Sequence, residues 1–226
     1  MKILIIDNNI DPGCWGSEDL RKCAKLAPDA TIVTRRAPQN DLPSSPAGFD
    51  RIIVSGSKTS ALEEAPWVES LIEFTQSAIN SGKPYLGVCF GHQILARSLG
   101  GKKAVGKAAA PEFGWSQIKI LESSDLMKGL EGSFYSFSAH QEEVCQLPQG
   151  MKKLAESELC SIQACQLENK PVFGIQFHPE KGIEEAEKVF IDKRKVKKLE
   201  LLNSKRSAEL YNPKIAEIIF SNFFKL

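Results

Sequence analysis

The stretch PYLGVCFGHQILARSLGG, residues 84–101, decides the fold that the sequence predicts. It begins with an apolar run that is typical of a buried strand. A Gly-x-Cys-x-Gly turn follows, with Cys89 between Gly87 and Gly91, and the remaining residues have a helical pattern that a glycine ends. A strand that turns sharply into a helix at small residues is typical of an α/β protein.

Strands and helices alternate in the first half of the chain. Apolar runs at KILII, ATIVT and DRIIVSGS predict strands. The stretches SEDLRKCAKLA and PWVESLIEFTQSAIN predict helices, the first with Ser17 as its N-cap. Strands that alternate with helices in this way predict a parallel sheet that is covered on both faces.

The second half of the sequence has a different pattern, in which strands follow one another with few helices between them. These strands are WSQIKIL, SFYSFS, SIQACQL and PVFGIQF, and the last two form a predicted hairpin across ENKP. Two helices, EEAEKVFIDKRKVKKLELL and NPKIAEIIFSNFF, follow them. The sequence therefore predicts one domain, residues 1–226, with an α/β fold: an open, mostly parallel central sheet with helices on both faces and a small antiparallel extension.

The composition restricts the classes of function. The chain has 226 residues, a net charge of +1, 42% hydrophobic residues and 25% charged residues, which is typical of a globular protein. Because the charges nearly balance, the sequence does not show the excess of positive charge that is typical of proteins that bind nucleic acid or an anionic membrane. The basic run KRKVKK is interpreted as a solvated helix face. We therefore expect no nucleic-acid partner and no membrane partner.

We expect a cytoplasmic protein, because the sequence shows neither a membrane span nor a secretory signal. No apolar run reaches the roughly 18 residues of a span, and the apolar start is interrupted at Asp7. The cysteines lack zinc-type pairing and are interpreted as reduced thiols: Cys14, Cys23, Cys89, Cys145, Cys160 and Cys165.

Cys89 has two interpretations at this point. Free cysteines are among the residues that are most often buried, and most of them are inert. At a turn from strand to helix, however, the sulfur would lie at the carboxyl edge of the sheet and at a helix N-terminus, which favours the thiolate. The main-chain N–H of Phe90 would then point at a developing oxyanion.

A nucleophilic thiol needs a base, and the chain has three histidines, His92, His140 and His178. His178 ends the apolar run of GIQFHPE, and Glu180, two residues on, can project to the same side and orient the imidazole. A zinc site of Cys89 and the three histidines is the alternative, although only Cys89 and His92 share local spacing. His92, in the first helical turn, is otherwise expected to cap the helix or pack near the turn, and His140 to shape its loop.

The motifs GVCFGHQILARSLGG and GIQFHPE together resemble those of the class I (triad-type) glutamine amidotransferases. The segments IIVSGSKTSALEEAPWVESL, EFGW, SAHQEEVCQLP and IIFSNFF occur in the order expected for that family, so the resemblance covers most of the chain. It implies a flavodoxin-like sheet and an enzyme that forms a γ-glutamyl thioester on Cys89. By the same resemblance, His178 gives a proton to the departing ammonia, Glu180 orients His178, and no metal or cofactor takes part.

The resemblance also implies an oxyanion hole. Its donors would be the main-chain N–H groups of Phe90 and Ser57, with Gly56 allowing a close approach of the substrate. Members of the family often have Gly-Gly-Pro where this chain has Gly56, Ser57 and Lys58. A main-chain N–H is present whatever the side chain, so serine at position 57 does not remove the donor. The different sequence would change the shape of the oxyanion hole instead.

A substrate site is implied as well. Gln93, one helical turn after the cysteine, would contact the substrate. The loop of Ala139, His140, Gln141 and Glu142 would hold the α-amino and α-carboxylate groups, largely through its backbone. The family often has Ser-His-Gly-Asp at these four positions, so this chain departs from the pattern there.

Three functions are open at the level of sequence. The segment after Glu180 has room for closing helices only, so either an ammonia-accepting synthetase chain is a partner or the enzyme is a plain glutamine hydrolase. The segments SGS, PWVESL and EFGW look most like stand-alone GMP-synthase-like amidotransferases, a group that includes γ-glutamyl peptidases acting on glutathione-like compounds. The third alternative is a catalytically weak regulatory or interaction subunit on the same fold, which the complete triad argues against.

Overall fold

The computed structural model describes residues 1–11, 16–196 and 199–226. The strands within this part of the chain are β1 Lys2–Asp7, β2 Thr31–Arg36, β3 Arg51–Val54, β4 Tyr85–Val88, β5 Val105–Ile120, β6 Ser133–Val144, β7 Met151–Glu156, β8 Ala164–Leu167 and β9 Val172–Ile175. The α-helices are α1 Glu18–Ala24, α2 Pro66–Asn80, α3 Phe90–Gly100, α4 Ile183–Lys193, α5 Ser207–Leu210 and α6 Pro213–Lys225. None of the helices formed by the described residues is both long enough and apolar enough to cross a membrane.

The nine strands of the described residues form one sheet in the order β2-β1-β3-β4-β9-β8-β7-β5-β6. The first five are parallel to one another, and β8, β7, β5 and β6 continue the sheet in antiparallel fashion. The predicted fold class is therefore confirmed, and the hairpin of β8 and β9 is confirmed with it. The antiparallel part is more extensive than a small extension, because β5 alone has 16 residues and pairs with both β6 and β7.

Hydrophobic residues of the sheet are buried on both of its faces. In β1, Leu4 and Ile6 pack with residues of α2 and α3, whereas Ile3 and Ile5 pack with residues of α1 and α6. This two-sided burial explains why the strand is a continuous apolar run instead of an alternating one. A smaller cluster around Trp115 lies between the antiparallel strands and α4.

Several local predictions were wrong or incomplete. α2 has the predicted bounds, but the strand β7 was missed, and the helix predicted over residues 184–202 ends at Lys193. Ser17 does not cap α1 with its side chain, because its hydroxyl and its N–H both donate to the Asp7 carboxylate, at 2.6 and 2.8 Å. Cys14 and the last two lysines of the basic run lie outside the described residues.

Candidate active site

The turn between β4 and α3 holds Cys89 in a strained backbone conformation. Its φ is 52° and its ψ is −103°. The other non-glycine residues with positive φ in the described part of the chain are asparagines, which tolerate that region better than cysteine does. The N–H of Cys89 donates to the carbonyl of Ile175 at 2.8 Å, so the neighbouring strand β9 fixes the turn. Strain that the surrounding structure enforces is a property of functional turns.

Both glycines of the turn are required by the close approach of the backbone. A Cβ on Gly87 would lie 2.3 Å from the carbonyl oxygen of Gly91. A Cβ on Gly91 would lie 2.2 Å from the carbonyl oxygen of Val54 in β3. These distances are far inside van der Waals contact, so the predicted need for small residues on each side of Cys89 is confirmed.

His178 and Glu180 lie on the segment that follows β9, beside the strand that carries Cys89. The N–H of His178 donates to the carbonyl of Phe137 at 2.7 Å, which fixes the backbone. The Nδ1 atom of His178 lies 2.7 Å from Oε1 of Glu180, and both side chains are buried. The Cys89 side chain lies near the other ring nitrogen, because a Cβ on Gly56 would be 3.6 Å from Cβ of Cys89 and 3.8 Å from Nε2 of His178. The structure thus brings the three predicted triad residues together.

The charged form of His178 is favoured in this arrangement. Burial by itself opposes the imidazolium, but the charge of Glu180, the charge of Cys89 and the hydrogen bonds to both residues outweigh burial and raise the pKa of His178 to about 10. An imidazolium between a sulfur and a carboxylate is suited to hold a thiolate and later to give up a proton.

The turn after β3 lies against Cys89 and His178. A Cβ on Gly56 would lie 3.0 Å from Cε1 of His178 and 3.6 Å from Cβ of Cys89, so a side chain there would crowd both. Ser57 directs its hydroxyl away into the protein, where it donates to the carbonyl of Asn8 at 2.8 Å. Phe90 is the first residue of α3, a position whose N–H has no partner within the helix. Gly56 therefore lies beside Cys89 and His178, and the roles of Gly56, Ser57 and Phe90 in an oxyanion hole stay predictions.

Gln93 is joined to the sulfur through a second glutamine that the sequence analysis missed. Its Nε2 atom donates to Oε1 of Gln176 at 3.1 Å and to the main-chain carbonyl of Glu142 at 2.7 Å. The Nε2 atom of Gln176 in turn lies 3.5 Å from Sγ of Cys89. Gln176 precedes His178 by two residues in GIQFHPE, so the period of an extended chain was a signal that could have placed both side chains on one side.

Asn8 is a second residue that the sequence analysis missed. It is completely buried, its N–H donates to the hydroxyl of Ser55 at 3.0 Å, and its side-chain amide donates to the carbonyl of Ser55 at 2.8 Å. Its carbonyl also holds Ser57, so Asn8 fixes the turn that contains Gly56. A buried asparagine directly after an apolar strand was the available signal, because such a residue must use its amide in hydrogen bonds.

The residues predicted to form a substrate loop lie within the strand β6 and not in a loop. His140 is buried, and its ring joins Glu112 of β5 to the main-chain carbonyl of Glu142, at 2.8 and 3.1 Å. The carboxylate of Glu142 accepts hydrogen bonds from the Ser60 hydroxyl and from the N–H of Ala61, at 2.5 and 2.9 Å.

The side chains of the four predicted substrate residues do not form a common binding surface. The side chains of His140 and Glu142 are occupied by bonds within the protein, Gln141 is exposed, and Ala139 packs against the Trp115 cluster. A contact through the backbone of these residues stays a prediction.

The four candidate zinc ligands do not come together. His92 packs with its Nδ1 3.5 Å from Sγ of Cys165, and burial lowers the pKa of His92 to about 3. Among the described residues, one group of three has ligand atoms close enough for a metal: Glu112, His140 and Cys160.

The polar side-chain atoms of Glu112 and His140 in that group are already used in hydrogen bonds. Both ring nitrogens of His140 are bonded, and the carboxylate of Glu112 also accepts hydrogen bonds from Ser157 at 2.8 Å and from Gln163 at 2.6 Å. This hydrogen-bonded arrangement accounts for the group without an ion.

The family model described as "Glutamine amidotransferase class-I" matches residues 20–197 of the chain. Among curated proteins, the chain is similar to a subunit of the glutamine-hydrolyzing GMP synthase of Methanocaldococcus jannaschii, at 31% identity over 178 residues that cover 79% of this chain and 87% of the relative. The same subunit of Pyrococcus abyssi is 34% identical over 179 residues, which cover 79% of this chain and 88% of the relative.

Solved structures extend the comparison to the fold. A glutamine amidotransferase from Methylobacillus flagellatus matches with a TM-score of 0.82 and 20% identity, over 99% of this chain and 94% of that one. A protein from Thermoplasma acidophilum, described as a putative GMP synthase subunit, matches with a TM-score of 0.67 and 25% identity, over 88% of this chain and 98% of that one.

Proposed function

Because the chain belongs to the class I glutamine amidotransferases, we propose that residues 1–226 form one amidotransferase domain whose nucleophile is Cys89, with His178 as acid and base and Glu180 as the orienting residue. The observation that carries this proposal is the line from Cys89 through His178 to Glu180, with a 2.7 Å bond at its carboxylate end. Gly56 lies beside the first two side chains and leaves room for a substrate carbonyl.

The proposed reaction has two halves. The thiolate of Cys89 attacks the γ-carboxamide carbon of glutamine, and the resulting oxyanion is stabilised by the N–H groups of Phe90 and Ser57. The C–N bond then breaks, the imidazolium of His178 gives its proton to the nitrogen, and ammonia leaves a γ-glutamyl thioester on the sulfur. In the second half, His178 takes a proton from water as the water attacks the thioester, which releases glutamate and restores the starting form of the Cys89–His178 pair.

The retained proton of His178 supports this sequence of steps. An ammonia molecule leaves readily only if its nitrogen is protonated as the bond breaks, and a raised pKa keeps that proton in place until the attack has occurred. The strained turn at Cys89 supports the proposal independently, because it keeps the sulfur at the end of β4 and at the start of α3.

The proposed substrate is glutamine, and the proposed consumer of ammonia is a synthetase chain. Curated relatives are named as one subunit of a glutamine-hydrolyzing GMP synthase, which supports both assignments. A γ-glutamyl peptidase acting on glutathione-like compounds is the competing proposal, since its attack on a γ-glutamyl carbonyl would use the same three residues. A catalytically weak regulatory subunit is disfavoured by the buried and intact Cys89, His178 and Glu180.

A substrate panel separates these proposals. The wild-type protein is supplied with glutamine, glutathione and γ-glutamyl dipeptides, with and without a candidate synthetase chain, and glutamate and ammonia are measured. Release of both from glutamine supports the amidotransferase, release of amino acid from γ-glutamyl dipeptides alone supports the peptidase, and no turnover under any condition supports the regulatory subunit.

The nucleophile is tested separately with a glutamine-like chloroketone. We expect one adduct, on Cys89, in the wild-type protein and in a Cys145→Ala control, which lacks the exposed thiol of the described residues. Cys89→Ala should take up no adduct. A folded wild-type protein whose Cys89 stays unlabelled at saturating reagent would count against the proposed mechanism.

A further inference from the structure

Two buried glutamine side chains connect the strand β6 to the sulfur of Cys89. Gln93 of α3 is buried, and Gln176, the residue after β9, is completely buried. Gln93 donates from Nε2 to the main-chain carbonyl of Glu142 at 2.7 Å and to Oε1 of Gln176 at 3.1 Å. Gln176 donates from Nε2 to Sγ of Cys89 at 3.5 Å. The series of hydrogen bonds therefore ends on the atom that the proposed reaction uses.

The carbonyl of Glu142 determines which way both side-chain amides point. A carbonyl can only accept a hydrogen bond, so Gln93 must turn its nitrogen toward Glu142. The same nitrogen faces Gln176, which must answer with its oxygen. The nitrogen of Gln176 is then left on the side of Cys89. The sulfur consequently faces an N–H donor and not a carbonyl oxygen.

The backbone holds both ends of this series. Glu142 lies in β6 and is paired with Lys107 of β5, and its carbonyl also accepts from Nδ1 of His140 at 3.1 Å. At the other end, the N–H of Gln176 donates to the main-chain carbonyl of Gln163 at 2.8 Å. Neither end can move without breaking main-chain or buried side-chain hydrogen bonds, so the position of the donor is fixed.

A fixed donor matters because the sulfur of a cysteine can rotate. The Cβ–Sγ group of Cys89 has a choice of staggered positions about one bond, and the N–H of Gln176 favours the position in which the sulfur accepts it. Such a bond is stronger when the sulfur is a thiolate, because the acceptor is then charged. A nucleophile that is misplaced by about 1 Å can lose about 100-fold in rate, so a device that holds the sulfur is useful to the reaction.

We infer that Gln176 holds the sulfur of Cys89 in the direction of attack, and that Gln93 is a positioning residue that acts on the sulfur through Gln176. The inference rests on the proposed function, because it concerns the thiol that the proposed reaction uses. Both hydrogens of the Gln93 amide are used within the protein, so neither is left for a substrate. Loss of either side chain should slow the attack and leave the binding of free glutamine nearly unchanged.

The first test compares Gln176→Met with Gln163→Met. Both variants replace a completely buried glutamine by an apolar side chain of similar length, but Gln163 directs its amide to Glu112 and Ser157, at 2.6 and 3.0 Å. For Gln176→Met we expect kcat for free glutamine to fall by about tenfold or more, with KM within about twofold of the wild-type value. For folded Gln163→Met, kcat and KM should both stay within about threefold of the wild-type values. If Gln176→Met does not fold, Gln176→Glu is measured instead, since it keeps the shape and replaces the N–H donor by an oxygen.

The second test asks whether Gln93 acts through Gln176. Gln93→Met leaves the donor of Gln176 in place but removes the bond that orients it, so kcat should fall by about fivefold and KM should change by less than about twofold. The double variant should be no slower than Gln176→Met alone, because the two residues act in series. A double variant whose loss equals the product of the single losses would show that the two glutamines act independently. A raised KM with an unchanged kcat in Gln93→Met would show that Gln93 binds the substrate directly, and either result overturns its role.

A third readout does not depend on turnover. The side-chain amide of Gln176 gives two proton resonances, which are assigned by their loss in Gln176→Met. Cys89→Ala should shift these resonances, because it removes the acceptor sulfur, and should leave the amide resonances of Gln163 in place.

The outcomes separate this inference from the proposed function. If the wild-type protein hydrolyses no γ-glutamyl compound, the proposed function fails, and the amide resonances alone decide whether Gln176 holds the sulfur. If these resonances coincide in the wild-type protein and in Cys89→Ala, or if an active protein keeps its kcat in Gln176→Met, the inference is overturned.

Discussion

Two buried histidine–glutamate pairs of this protein have nearly the same bond and different surroundings. In the first, His178 Nδ1 lies 2.7 Å from Glu180, and in the second, His140 Nε2 lies 2.8 Å from Glu112. In the first pair, the other ring nitrogen lies on the side of Cys89, because a Cβ on Gly56 would be 3.8 Å from that nitrogen and 3.6 Å from Cβ of Cys89. The second pair directs the other nitrogen to the main-chain carbonyl of Glu142.

The carboxylates of the two pairs also differ in how many of their oxygens are hydrogen-bonded within the protein. Glu112 accepts hydrogen bonds from Ser157 and Gln163 in addition to His140, so both of its oxygens are bonded. Glu180 has one oxygen bonded to its histidine and the other unbonded within the described residues. We call the Glu112–His140 pair saturated, because both carboxylate oxygens and both ring nitrogens are hydrogen-bonded within the protein. Such a pair stabilises the position of the backbone. A pair with an unbonded polar atom can instead exchange a proton with a reacting atom.

What the saturated pair holds in place is close to the proposed active site. The carbonyl of Glu142, to which His140 donates, also accepts from Gln93, and the carboxylate of Glu142 holds Ser60 and Ala61 after the turn at Gly56. We therefore interpret His140 and Glu112 as residues that stabilise the antiparallel strands against the turn, and His178 and Glu180 as residues of the chemistry.

The largest difference between the two pairs is expected in activity. His178→Ala should lower kcat/KM for glutamine by about 10³-fold or more, because it removes the acid and base. The measurement is steady-state glutaminase kinetics, with the melting temperature of each variant determined alongside.

His140→Ala is the matched comparison. This variant should lose stability, and the activity of its folded fraction should fall by about tenfold or less. Equal losses of kcat/KM in the two folded variants would show that the division between a chemical and a structural pair is wrong.

The second difference is expected in stability, with the order of the pairs reversed. Glu112→Gln should lower the free energy of unfolding by about 2 kcal/mol, because the amide turns a donor toward groups that already donate to this site. Glu180→Gln should cost less stability, since its second oxygen has no such donor, and should reduce kcat instead. Denaturant unfolding of the two variants tests this, and a larger stability loss for Glu180→Gln would contradict it.

The two pairs also differ in how far they could be predicted from the sequence. His178 and Glu180 are two residues apart on an extended segment, so their common direction follows from the period of that segment. Glu112 and His140 meet only through the register of β5 and β6, which has an irregularity between Lys107 and Glu112. A bulge changes which residues face each other, and no local pattern in this sequence predicts the bulge.

The end of α4 shows a similar limit of the sequence. The run after Lys193 has helical propensity, yet Leu202 accepts a hydrogen bond from Trp115 at 3.0 Å and donates one to Phe113 at 2.8 Å. Gly114 permits this contact, since a Cβ there would lie 2.0 Å from the carbonyl oxygen of Leu202. Pairing with a distant strand thus determined the path of the chain, as often happens where propensity alone is weak.

The smallest difference between the pairs is expected in the pH dependence of stability. The pKa of His178 is raised from 6.5 to about 10, so its contribution is complete below pH 6.5 and is lost as pH rises toward 10. Burial opposes the ionisation of Glu112, but the bonds from His140 and its other donors lower its pKa below 4.5, so its contribution is present above pH 4.5 and is lost as pH falls further.

Two variants should therefore flatten opposite limbs of the stability profile. His178→Asn should remove part of the decline between pH 6.5 and 10 and leave the acid limb unchanged. Glu112→Gln should remove part of the decline below pH 4.5 and leave the alkaline limb unchanged. Denaturant unfolding across this range measures both limbs. If both variants changed the same limb, the pKa of His178 would not be raised while that of Glu112 is lowered, and the proposed electrostatic difference between the two pairs would be wrong.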